Sequence, residues 1–416
     1  MKKRLLTLSM ALALVVFALP SVFAASKVKL VVWGKEQADE EPDHAYPKAL
    51  VQGFKAKYPD IDLEYVALGD GIYDKVRITM ASGSGLPDIF QTWGGGIMGG
   101  YADAGRLLDL TSELKSVPSS PAAVSAVTWK GKIYGVAPFF GIGGLFVNEG
   151  LFKANALAVP TTIEDMEKAC DVFLAKGIQP FACGAKESWP ALTMYMYLVN
   201  RVGGDAFAQA KNRKTSFDSD GLLKAAQLYQ SWAKKGYFGS APLGEGYSDA
   251  QQLMATGKAA MQVTGTWMDT QYANKEFTDQ TIGFYPFPIL KNGGKGKITD
   301  VMGMTDVGFA ATKAGAARKD AVVKFLKYAM EVGTCQADRG RICSVPGVAS
   351  TNPLTTQASV VMSGAKSIQF WWDQDLPPAV TTTGIIQAFF IPTADLKKAL
   401  GDLEALAVEN LGPVKK

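Results

Sequence analysis

The segment that most constrains the fold is residues 86–110, with the sequence LPDIFQTWGGGIMGGYADAGRLLDL. A short buried strand is predicted at its start, and Gln91 and Trp93 follow where that strand leaves its sheet. Three glycines then allow a tight turn, and Tyr101, Ala104 and Leu107 recur at helical spacing. Open α/β sheets bind ligands at the carboxyl ends of their strands. Because no nucleophile or general base stands beside these residues, the segment predicts a binding site rather than a catalytic one.

Residues 1–24 have the pattern of a secretory signal peptide. Basic residues at 2–4 precede an apolar run at 5–19, and small residues lead to a cleavage site after Ala24. The apolar run is shorter than the roughly 20 residues that a membrane-spanning helix needs. An uncleaved membrane anchor is the alternative, and the absence of a cysteine near the cleavage point argues against a lipid anchor. We therefore expect an exported, periplasmic protein.

Charge and size narrow the class of protein further. Cleavage removes three of the 43 basic residues and none of the 39 acidic ones, which lowers the formal net charge from +4 to +1. A chain this close to neutral offers no electrostatic attraction for nucleic acid or anionic membranes. Of the 416 residues, 392 remain after the first 24 are removed. That length predicts two or three domains.

Four cysteines, Cys170, Cys183, Cys335 and Cys343, allow three disulfide pairings. The pairs 170–183 and 335–343 close the smallest loops and are favoured in an oxidising compartment. Free buried thiols are the alternative, since buried cysteine often behaves as a small hydrophobic residue. The spacing lacks the close cysteine pair typical of zinc sites, and the sole histidine, His44, is expected at the surface. We expect no metal and no cofactor.

Along the mature chain, strands alternate with amphipathic helices, which predicts an α/β fold with a parallel, doubly covered sheet. The predicted strands are residues 28–33, 61–67, 88–90, 139–148, 259–263 and 308–311. The predicted helices are residues 47–57, 73–82, 162–176, 190–199, 221–235 and 318–331, with others within 378–410. A hairpin edge is predicted at 129–136. Thr162 is a predicted helix N-cap, with Asp165 three residues later. Residues 282–290 contain two prolines, which favours a connector over a central strand.

Seven segments resemble, in the same order, the family 1 extracellular solute-binding proteins of ABC importers, which include the maltose-binding and other periplasmic sugar-binding proteins. The segments are KLVVWG at 29–34, LPDIF at 86–90, GGYADAGRLLDL at 99–110, KGKIYGV at 130–136, GLFVNEGLF at 144–152, GKAAMQVTGTW at 257–267 and IQFWWDQDLPP at 368–378. The resemblance covers essentially the whole mature chain. It implies the two-lobed type II periplasmic-binding-protein fold, with hinge strands and a ligand cleft between the lobes. On that pattern the N-lobe comprises 25–138 and 291–345, and the C-lobe 139–290 and 346–416.

A sugar-binding site needs two kinds of side chain. Aromatic rings cover the apolar faces of the sugar ring, and planar polar groups pair with its hydroxyls, because each buried unpaired group costs about 1–3 kcal/mol. Candidates for both kinds stand at strand ends or in glycine-broken loops. The candidate ligand-binding residues are Trp33, Glu36, Gln37, Asp88, Gln91, Trp93, Phe139, Glu187, Trp189, Trp267, Trp372 and Asp373.

Several of these candidates have a structural alternative. The resemblance implies that Trp267 stacks on ligand, whereas core packing is the alternative. Asp88 is equally well explained as a structural N-terminal cap, and Trp189 as part of a hydrophobic staple. Of the adjacent Trp371 and Trp372, only one is expected to face ligand, because consecutive side chains point in different directions. We favour Trp372.

These features predict a periplasmic receptor that captures a mono- or oligosaccharide between two lobes and delivers it to the transmembrane subunits of an ABC permease. We expect a monomer that binds a small-molecule sugar, has no nucleic-acid partner and is not an enzyme. A chemoreceptor is a second candidate partner. One alternative is a secreted glycosidase with a carboxylate pair, for which Glu187 and Asp373 are candidates. Another is the same fold binding a polyamine, attracted by the acidic residues of 36–43.

Overall fold

The computed structural model describes residues 27–39, 45–335 and 341–415. The predicted signal peptide, residues 40–43 of the acidic loop, and His44 lie outside these ranges. The strands are β1 (Val28–Gly34), β2 (Ile61–Ala67), β3 (Ile89–Thr92), β4 (Thr128–Trp129), β5 (Lys132–Ile133), β6 (Gly135–Asn148), β7 (Gln179–Phe181), β8 (Ala259–Gly265), β9 (Ile282–Tyr285), β10 (Asp300–Ala311), β11 (Ile342–Cys343) and β12 (Ser367–Gln369).

The helices alternate with these strands along most of the chain. They are α1 (Ala45–Lys57), α2 (Ile72–Ser82), α3 (Gly95–Asp103), α4 (Thr111–Leu114), α5 (Pro121–Ala126), α6 (Glu149–Ala154), α7 (Ile163–Ala175), α8 (Trp189–Gly203), α9 (Ala206–Lys211), α10 (Asp220–Lys234), α11 (Tyr247–Ala255), α12 (Asp269–Ala273), α13 (Lys319–Cys335), α14 (Pro353–Gly364), α15 (Trp372–Asp375), α16 (Thr383–Phe389) and α17 (Leu396–Leu411). Within the described residues, none of these helices has the length and apolar character needed to cross a bilayer.

Ten of the described strands form one large sheet, in which seven lie in the order β2-β1-β3-β10-β6-β8-β7. Strands β9 and β11 pair with β6, and β12 pairs with β10, whereas β4 and β5 form a separate two-stranded sheet. Strand β1 lies parallel to both β2 and β3, as expected for strands joined by helical crossovers. Strand β10 is antiparallel to β3 and to β6. The prediction of a parallel sheet is therefore wrong: the sheet is mixed, because β6 and β10 pair antiparallel with each other and with strands of both halves. Beyond β6, the sheet continues with antiparallel β8 and then β7, which is parallel to β8. A first half built on β1–β3 and a second half built on β7–β9 therefore meet at β6 and β10.

Strand β6 belongs to both halves of the sheet and is buried along its whole length. Its residues 135–142 pair with β10, whereas residues 143–148 pair with β8 and β9. The hydroxyl of Tyr197, on α8, donates to the carbonyl oxygen of Gly143 at 2.7 Å. The same hydroxyl accepts from the amide of Met302 in β10 at 3.2 Å. The buried hydroxyl of Tyr197, in the second half, thus connects β6 and β10 through two hydrogen bonds.

Each half of the molecule has its own aromatic core. In the first half, Phe54 of α1 meets Phe325 of α13 edge to face, with 5.3 Å between the ring centroids. In the second half, Phe389 of α16 packs against Tyr195 of α8 at 4.7 Å and against Tyr229 of α10 at 4.6 Å. The helices thus cover each half of the sheet separately, whereas β6 runs through both halves.

Most elements predicted from periodicity are present, with bounds shifted by a few residues. The hydroxyl of Thr162 caps α7 as predicted, accepting from the amide of Asp165 at 3.2 Å. The β4–β5 hairpin is also confirmed, and Lys130 and Gly131 both have positive φ, 47° and 78°, as a tight two-residue turn requires. Two strands differ from prediction. Strand β10 begins well before its predicted start, and residues 282–285 pair with β6 as an edge strand because both prolines follow its last residue.

The predicted disulfide between Cys170 and Cys183 is wrong, because both are buried free thiols. Cys170 lies in the core on α7, and the Sγ atom of Cys183 lies 3.5 Å from the hydroxyl of Tyr229. Burial raises the pKa of both thiols, to about 12 for Cys183, which disfavours the reactive thiolate. The pair Cys335–Cys343 stays a prediction, since the side chain of Cys335 lies outside the described part of the structure.

Candidate ligand-binding site

A cavity of about 770 Å³ lies between the two halves of the molecule. Its volume falls within the range of about 300–1,000 Å³ that is typical of small-molecule sites. Both halves contribute to its walls, through the loops after β1 and β3, the start of α8 and the segment around α15. The lining residues are Lys35, Glu36, Tyr73, Trp93, Ile97, Gly141, Glu187, Trp189, Leu192, Thr193, Met196, Tyr247, Ser248, Trp267, Met304, Thr305, Asp306, Arg341, Trp371, Asp373 and Gln374.

Three indole rings from the second half form an aromatic wall. Trp267 is central, with its ring centroid 5.8 Å from that of Trp189 and 5.7 Å from that of Trp371. Its indole N–H donates to the hydroxyl of Tyr247 at 2.8 Å, which fixes the orientation of the ring. The indole folds back over Gly265, where any Cβ would overlap the ring. The glycine before Trp267 is therefore required for the ring to reach this position.

The first half contributes a second aromatic surface. The rings of Trp93 and Tyr73 are stacked, with 4.4 Å between centroids and 16° between planes. Trp93 directly follows β3, and Gly94 and Gly95 then turn the chain into α3 with φ values of 76° and 64°. Such positive values strongly favour glycine. The glycine run after the strand thus allows Trp93 to face the cavity at the carboxyl end of β3.

The turn before α8 is strained. Ser188 has φ 62° and ψ −41°, a backbone conformation that residues with a side chain rarely adopt. Its two neighbours, Glu187 and Trp189, both line the cavity. The Oε2 atom of Glu187 accepts from the amide of Tyr247 at 3.0 Å, which satisfies one of the free amides at the start of α11. The strained residue thus lets the side chains on either side of it reach the same cavity.

Charged side chains supply the polar part of the lining. Asp306 of β10 and Arg341 form an ion pair at 3.1 Å, with side chains only 13% and 21% exposed. Burial raises the pKa of the Asp306 carboxyl, Arg341 partly offsets that rise, and the charges of Glu36 and Lys35 act in opposite directions. Charged groups of both signs can donate to and accept from ligand hydroxyls with the stronger class of hydrogen bond.

Six of the twelve predicted ligand-binding residues line this cavity, and ligand contact stays a prediction for them. These six are Glu36, Trp93, Glu187, Trp189, Trp267 and Asp373. The other six lie outside the lining. They are Trp33, Gln37, Asp88, Gln91, Phe139 and Trp372.

Asp88 and Phe139 have structural roles. Asp88 is only 1% exposed, accepts from the amide of Val31 at 2.8 Å and forms an ion pair with Arg318 at 2.6 Å. Phe139 is fully buried and packs edge to face against Tyr46, at 4.8 Å between centroids. Asp88 therefore has a structural role, although its carboxylate holds strand β1 and Arg318 rather than capping a helix N-terminus. Phe139 belongs to the core of the first half.

Three further candidates support or flank the site. Trp33 is buried, with the ammonium group of Lys75 5.5 Å from its ring centroid. The side-chain oxygen of Gln91 accepts from the amide of Lys35 at 2.9 Å, which holds the loop after β1 in place. Gln37 is exposed to solvent outside the cavity. Gln91 thus acts on the cavity indirectly, by fixing the backbone of a lining residue.

The preference for Trp372 over Trp371 is wrong. Trp371 lines the cavity, whereas Trp372 is fully buried and stacked on Phe207, with 4.1 Å between centroids. Trp372 also meets Tyr195 edge to face at 5.5 Å. As expected from the geometry of consecutive side chains, only one of the two indoles faces the cleft.

The lining residues that were not predicted include three aromatic residues and a partly buried ion pair: Tyr73, Tyr247, Trp371, Asp306 and Arg341. Tyr247 follows two glycines in the run GEGY, so the criterion of an aromatic residue in a glycine-broken loop would have found it. Asp306 lies in the part of β10 that was not predicted as strand. Arg341 has no local signal, because the fold alone brings it to Asp306.

Asp269 is a fully buried carboxylate next to the aromatic wall, two residues after Trp267. Its Oδ2 atom accepts from the hydroxyl of Thr355 at 2.9 Å. Within the described chain, no donor lies within hydrogen-bond distance of its Oδ1 atom. Burial raises the pKa of this carboxyl well above its ordinary value. The folded chain therefore binds a proton here more tightly than the unfolded chain does.

We expect the stability of the protein to depend on pH through Asp269. Because the folded chain holds more protons, the free energy of unfolding falls as pH rises from the ordinary carboxyl pKa through the raised one. The slope is about 1.4 kcal/mol per pH unit where only the folded chain is protonated. Urea unfolding measured between about pH 4 and pH 8 should show that the free energy of unfolding falls less steeply with pH for Asp269→Asn than for the wild type. Parallel curves for both proteins would show that the carboxyl titrates normally.

Comparisons with known proteins agree with this architecture. The family model for bacterial extracellular solute-binding proteins matches residues 38–332. A multiple sugar-binding protein of Streptococcus mutans is 25% identical over 305 residues, covering 68% of this chain and 67% of that protein. An uncharacterised ABC transporter extracellular-binding protein of Pyrococcus horikoshii is 24% identical over 253 residues, covering 58% of this chain. That match spans only 56% of the length of the Pyrococcus protein.

A solved structure confirms the fold over nearly the whole chain. It comes from work on xylan utilisation by the thermophilic bacterium Caldanaerobius polysaccharolyticus. It is 26% identical, with a TM-score of 0.83, and the alignment covers 91% of this chain and 99% of that one. The predicted two-lobed, type II periplasmic-binding-protein fold is therefore confirmed. Since the family match spans well over half of the sequence, the chain belongs to the bacterial extracellular solute-binding proteins.

Proposed function

We propose that this protein is the solute-binding component of an ABC importer and that its solute is a mono- or oligosaccharide. One observation carries the proposal: indole rings from both halves, Trp93 from the first and Trp189 and Trp267 from the second, line a single cavity. A sugar ring has apolar faces that stack on such rings. Its hydroxyls can pair with the charged groups of the lining, such as Asp306 and Arg341. The name of the Streptococcus relative, a multiple sugar-binding protein, also supports this assignment.

Capture works by closure of two lobes about β6 and β10. The proposed N-lobe comprises 25–138 and 291–345, and the proposed C-lobe 139–290 and 346–416. Ligand contacts with both lobes form together only when the cleft is shut, so the closed state binds ligand more tightly than the open state. Ligand binding therefore shifts the population toward the closed state. The continuity of β6 through both halves supports a boundary within this strand, because it makes β6 a connection about which the halves can rotate.

The family and the pattern of the first residues support two further parts of the proposal: export of the protein and delivery of its sugar to the permease. The family is extracellular, and the basic and apolar pattern of residues 1–24 supports export to the periplasm with cleavage near Ala24. There the loaded protein, as a monomer, presents its sugar to the transmembrane subunits of the permease. A chemoreceptor would recognise the same closed form.

We further propose that the protein binds its ligand without turnover. Glu187 and Asp373, the two carboxylates considered for a glycosidase, both line the cavity. However, Glu187 is engaged as a cap for α11 through the amide of Tyr247. Asp373 accepts from the side-chain amide of Gln374 at 3.0 Å. A purified sample that releases reducing sugar from any oligosaccharide of the panel below would contradict this part of the proposal.

Titration of the intrinsic tryptophan fluorescence tests the proposal. The panel consists of glucose, galactose, maltose, xylotriose, chitotriose and raffinose, with spermidine as the non-sugar probe. We expect a saturable change with at least one carbohydrate, because four lining indoles would change environment together, and no change with spermidine. Native mass spectrometry of material carried through purification would identify the natural ligand. A response to spermidine and to no carbohydrate would contradict the assignment.

A further inference from the structure

The start of helix α3 makes an unusually close backbone contact with α15. A methyl group at the Cα atom of Gly96 would overlap the carbonyl oxygen of Asp375 and lie 3.0 Å from its carbonyl carbon. At the preceding Gly95, such a methyl group would lie 3.0 Å from the carbonyl oxygen of Gln374. Carbon and oxygen atoms in close contact are usually about 3.3–3.6 Å apart. The two backbones can touch because no side chain stands between them.

The two partners in this contact belong to opposite halves of the molecule. Helix α3 follows β3 of the first half, and its Gly99 lies flat against the ring of Trp129, where any Cβ would overlap the indole. Helix α15 is fixed to the second half by the stacking of Trp372 on Phe207. An ion pair between Asp375 and Lys211 of α9, at 2.5 Å, adds to that attachment. Neither helix can move away without disturbing its own half.

The contact also lies at the edge of the cavity. Ile97 directly follows Gly96, and Gln374 directly precedes Asp375; both Ile97 and Gln374 line the cavity. The distance between these two backbones therefore limits how narrow the cleft can become. A change at Gly96 alters that distance without removing any lining side chain.

The local conformation of Gly96 does not itself require glycine. Gly94 and Gly95 have left-handed φ values of 76° and 64°, but Gly96 is not among the residues with positive φ. It lies in the first turn of α3, and glycine within a helix costs about 0.5–1 kcal/mol relative to alanine. The close approach of Asp375 explains why a glycine occupies this position.

We propose that Gly96 is a positioning residue that sets how closely the two halves approach, and thereby the width of the ligand cleft. A side chain there would have to separate α3 from α15 by about 1 Å to restore an ordinary contact. Neither backbone can yield alone, because each is attached to its own half, so the halves themselves move apart. The link to sugar affinity rests on the proposed function, whereas the limit on cleft width does not.

The test compares substitutions at Gly96 with the same substitutions at Gly100. Gly100 lies one turn later on α3, and no atom lies within 4 Å of a methyl group placed on it. Gly100→Ala and Gly100→Val therefore report the change in helix propensity alone. Small-angle X-ray scattering of the full chain without sugar measures the radius of gyration. We expect it to increase from wild type to Gly96→Ala and again to Gly96→Val, and to stay unchanged in both Gly100 variants.

Thermal unfolding and sugar binding complete the test. For any sugar of the fluorescence panel that binds the wild type, we expect Gly96→Val to lower affinity at least tenfold and Gly100→Val less than twofold. A wild-type radius of gyration in folded Gly96→Val would overturn the inference, even if affinity fell. If the valine variant does not fold, Gly96→Ala decides in the same way. If no sugar binds, the proposed function fails while the scattering result still decides this inference.

Discussion

Replacing Trp267 by alanine is expected to weaken sugar binding by roughly 30-fold to 1,000-fold and to leave the melting temperature close to that of the wild type. Truncating a central aromatic residue of a binding site costs about 2–4 kcal/mol, and each 1.4 kcal/mol is about tenfold in affinity. Trp267 holds the centre of the aromatic wall, between Trp189 and Trp371. Its ring is partly exposed to the cavity rather than enclosed in a core, so the loss falls on binding.

Isothermal titration calorimetry with the sugar that gives the largest fluorescence response would measure this loss. Trp267→Phe is the matched control, because it keeps a flat ring but removes the N–H that donates to Tyr247. We expect its affinity to lie between those of the wild type and the alanine variant. An alanine variant that binds within twofold of the wild type, with its fold intact, would show that the aromatic wall does not contact the sugar.

Local sequence patterns predicted most of the helices and strands, because burial of one face and the chemistry of the helix ends are local properties. Thr162 is an example, since its capping role depends only on the residues of the next turn. The first part of β10 was not predicted. Residues 300–307, DVMGMTDV, contain a glycine and two aspartates, which weakens the strand pattern. This segment is extended because it pairs with β6 and β12, both distant in sequence.

Whether a residue stands at the end of a strand was a better predictor of its place in the site than whether its side chain is aromatic. Trp93 and Trp267 each follow a strand and precede a glycine-assisted or tight turn, and both line the cavity. Phe139 lies within a strand, and its side chain points into the core. The direction of the side chain also distinguishes Trp371 from Trp372. Trp372 is the one that points into the core, because it packs against Phe207.

The charged part of the site could not be predicted from local sequence. Asp306 and Arg341 are separated by 35 positions and meet only in the folded chain.

The wrong disulfide prediction for Cys170 and Cys183 also arose because local sequence does not show how the folded chain orients side chains. A short loop favours a disulfide on grounds of chain entropy, but the first thiol is fixed within helix α7 and the second after strand β7. Neither sequence separation nor residue type indicates how such elements orient their side chains.

Replacement of Trp372 by alanine is expected to destabilise the protein by about 3–5 kcal/mol, the usual cost of truncating a fully buried tryptophan. The indole fills the space between Phe207 and Tyr195, so its loss leaves a cavity in the core of the second half. The stack on Phe207, at 4.1 Å and 6° between planes, contributes aromatic attraction in addition to the buried area. The loss would also loosen α15 and the backbone contact between Asp375 and Gly96.

Thermal unfolding followed by circular dichroism would measure the effect of Trp372→Ala, with Trp371→Ala as the adjacent control. At about 2–4 °C per kcal/mol for a domain of about 150–250 residues, the size range of each proposed lobe, we expect the melting temperature to fall by roughly 6–20 °C. Trp371→Ala should instead lower sugar affinity and lower the melting temperature less than Trp372→Ala does, since the Trp371 ring lines the cavity and is 8% exposed whereas Trp372 is fully buried. Trp372→Phe should be milder than alanine: it keeps a ring, and within the described chain the buried N–H of Trp372 has no acceptor to lose. The reverse pattern, a stable Trp372→Ala and an unstable Trp371→Ala, would mean that the two indoles have exchanged roles.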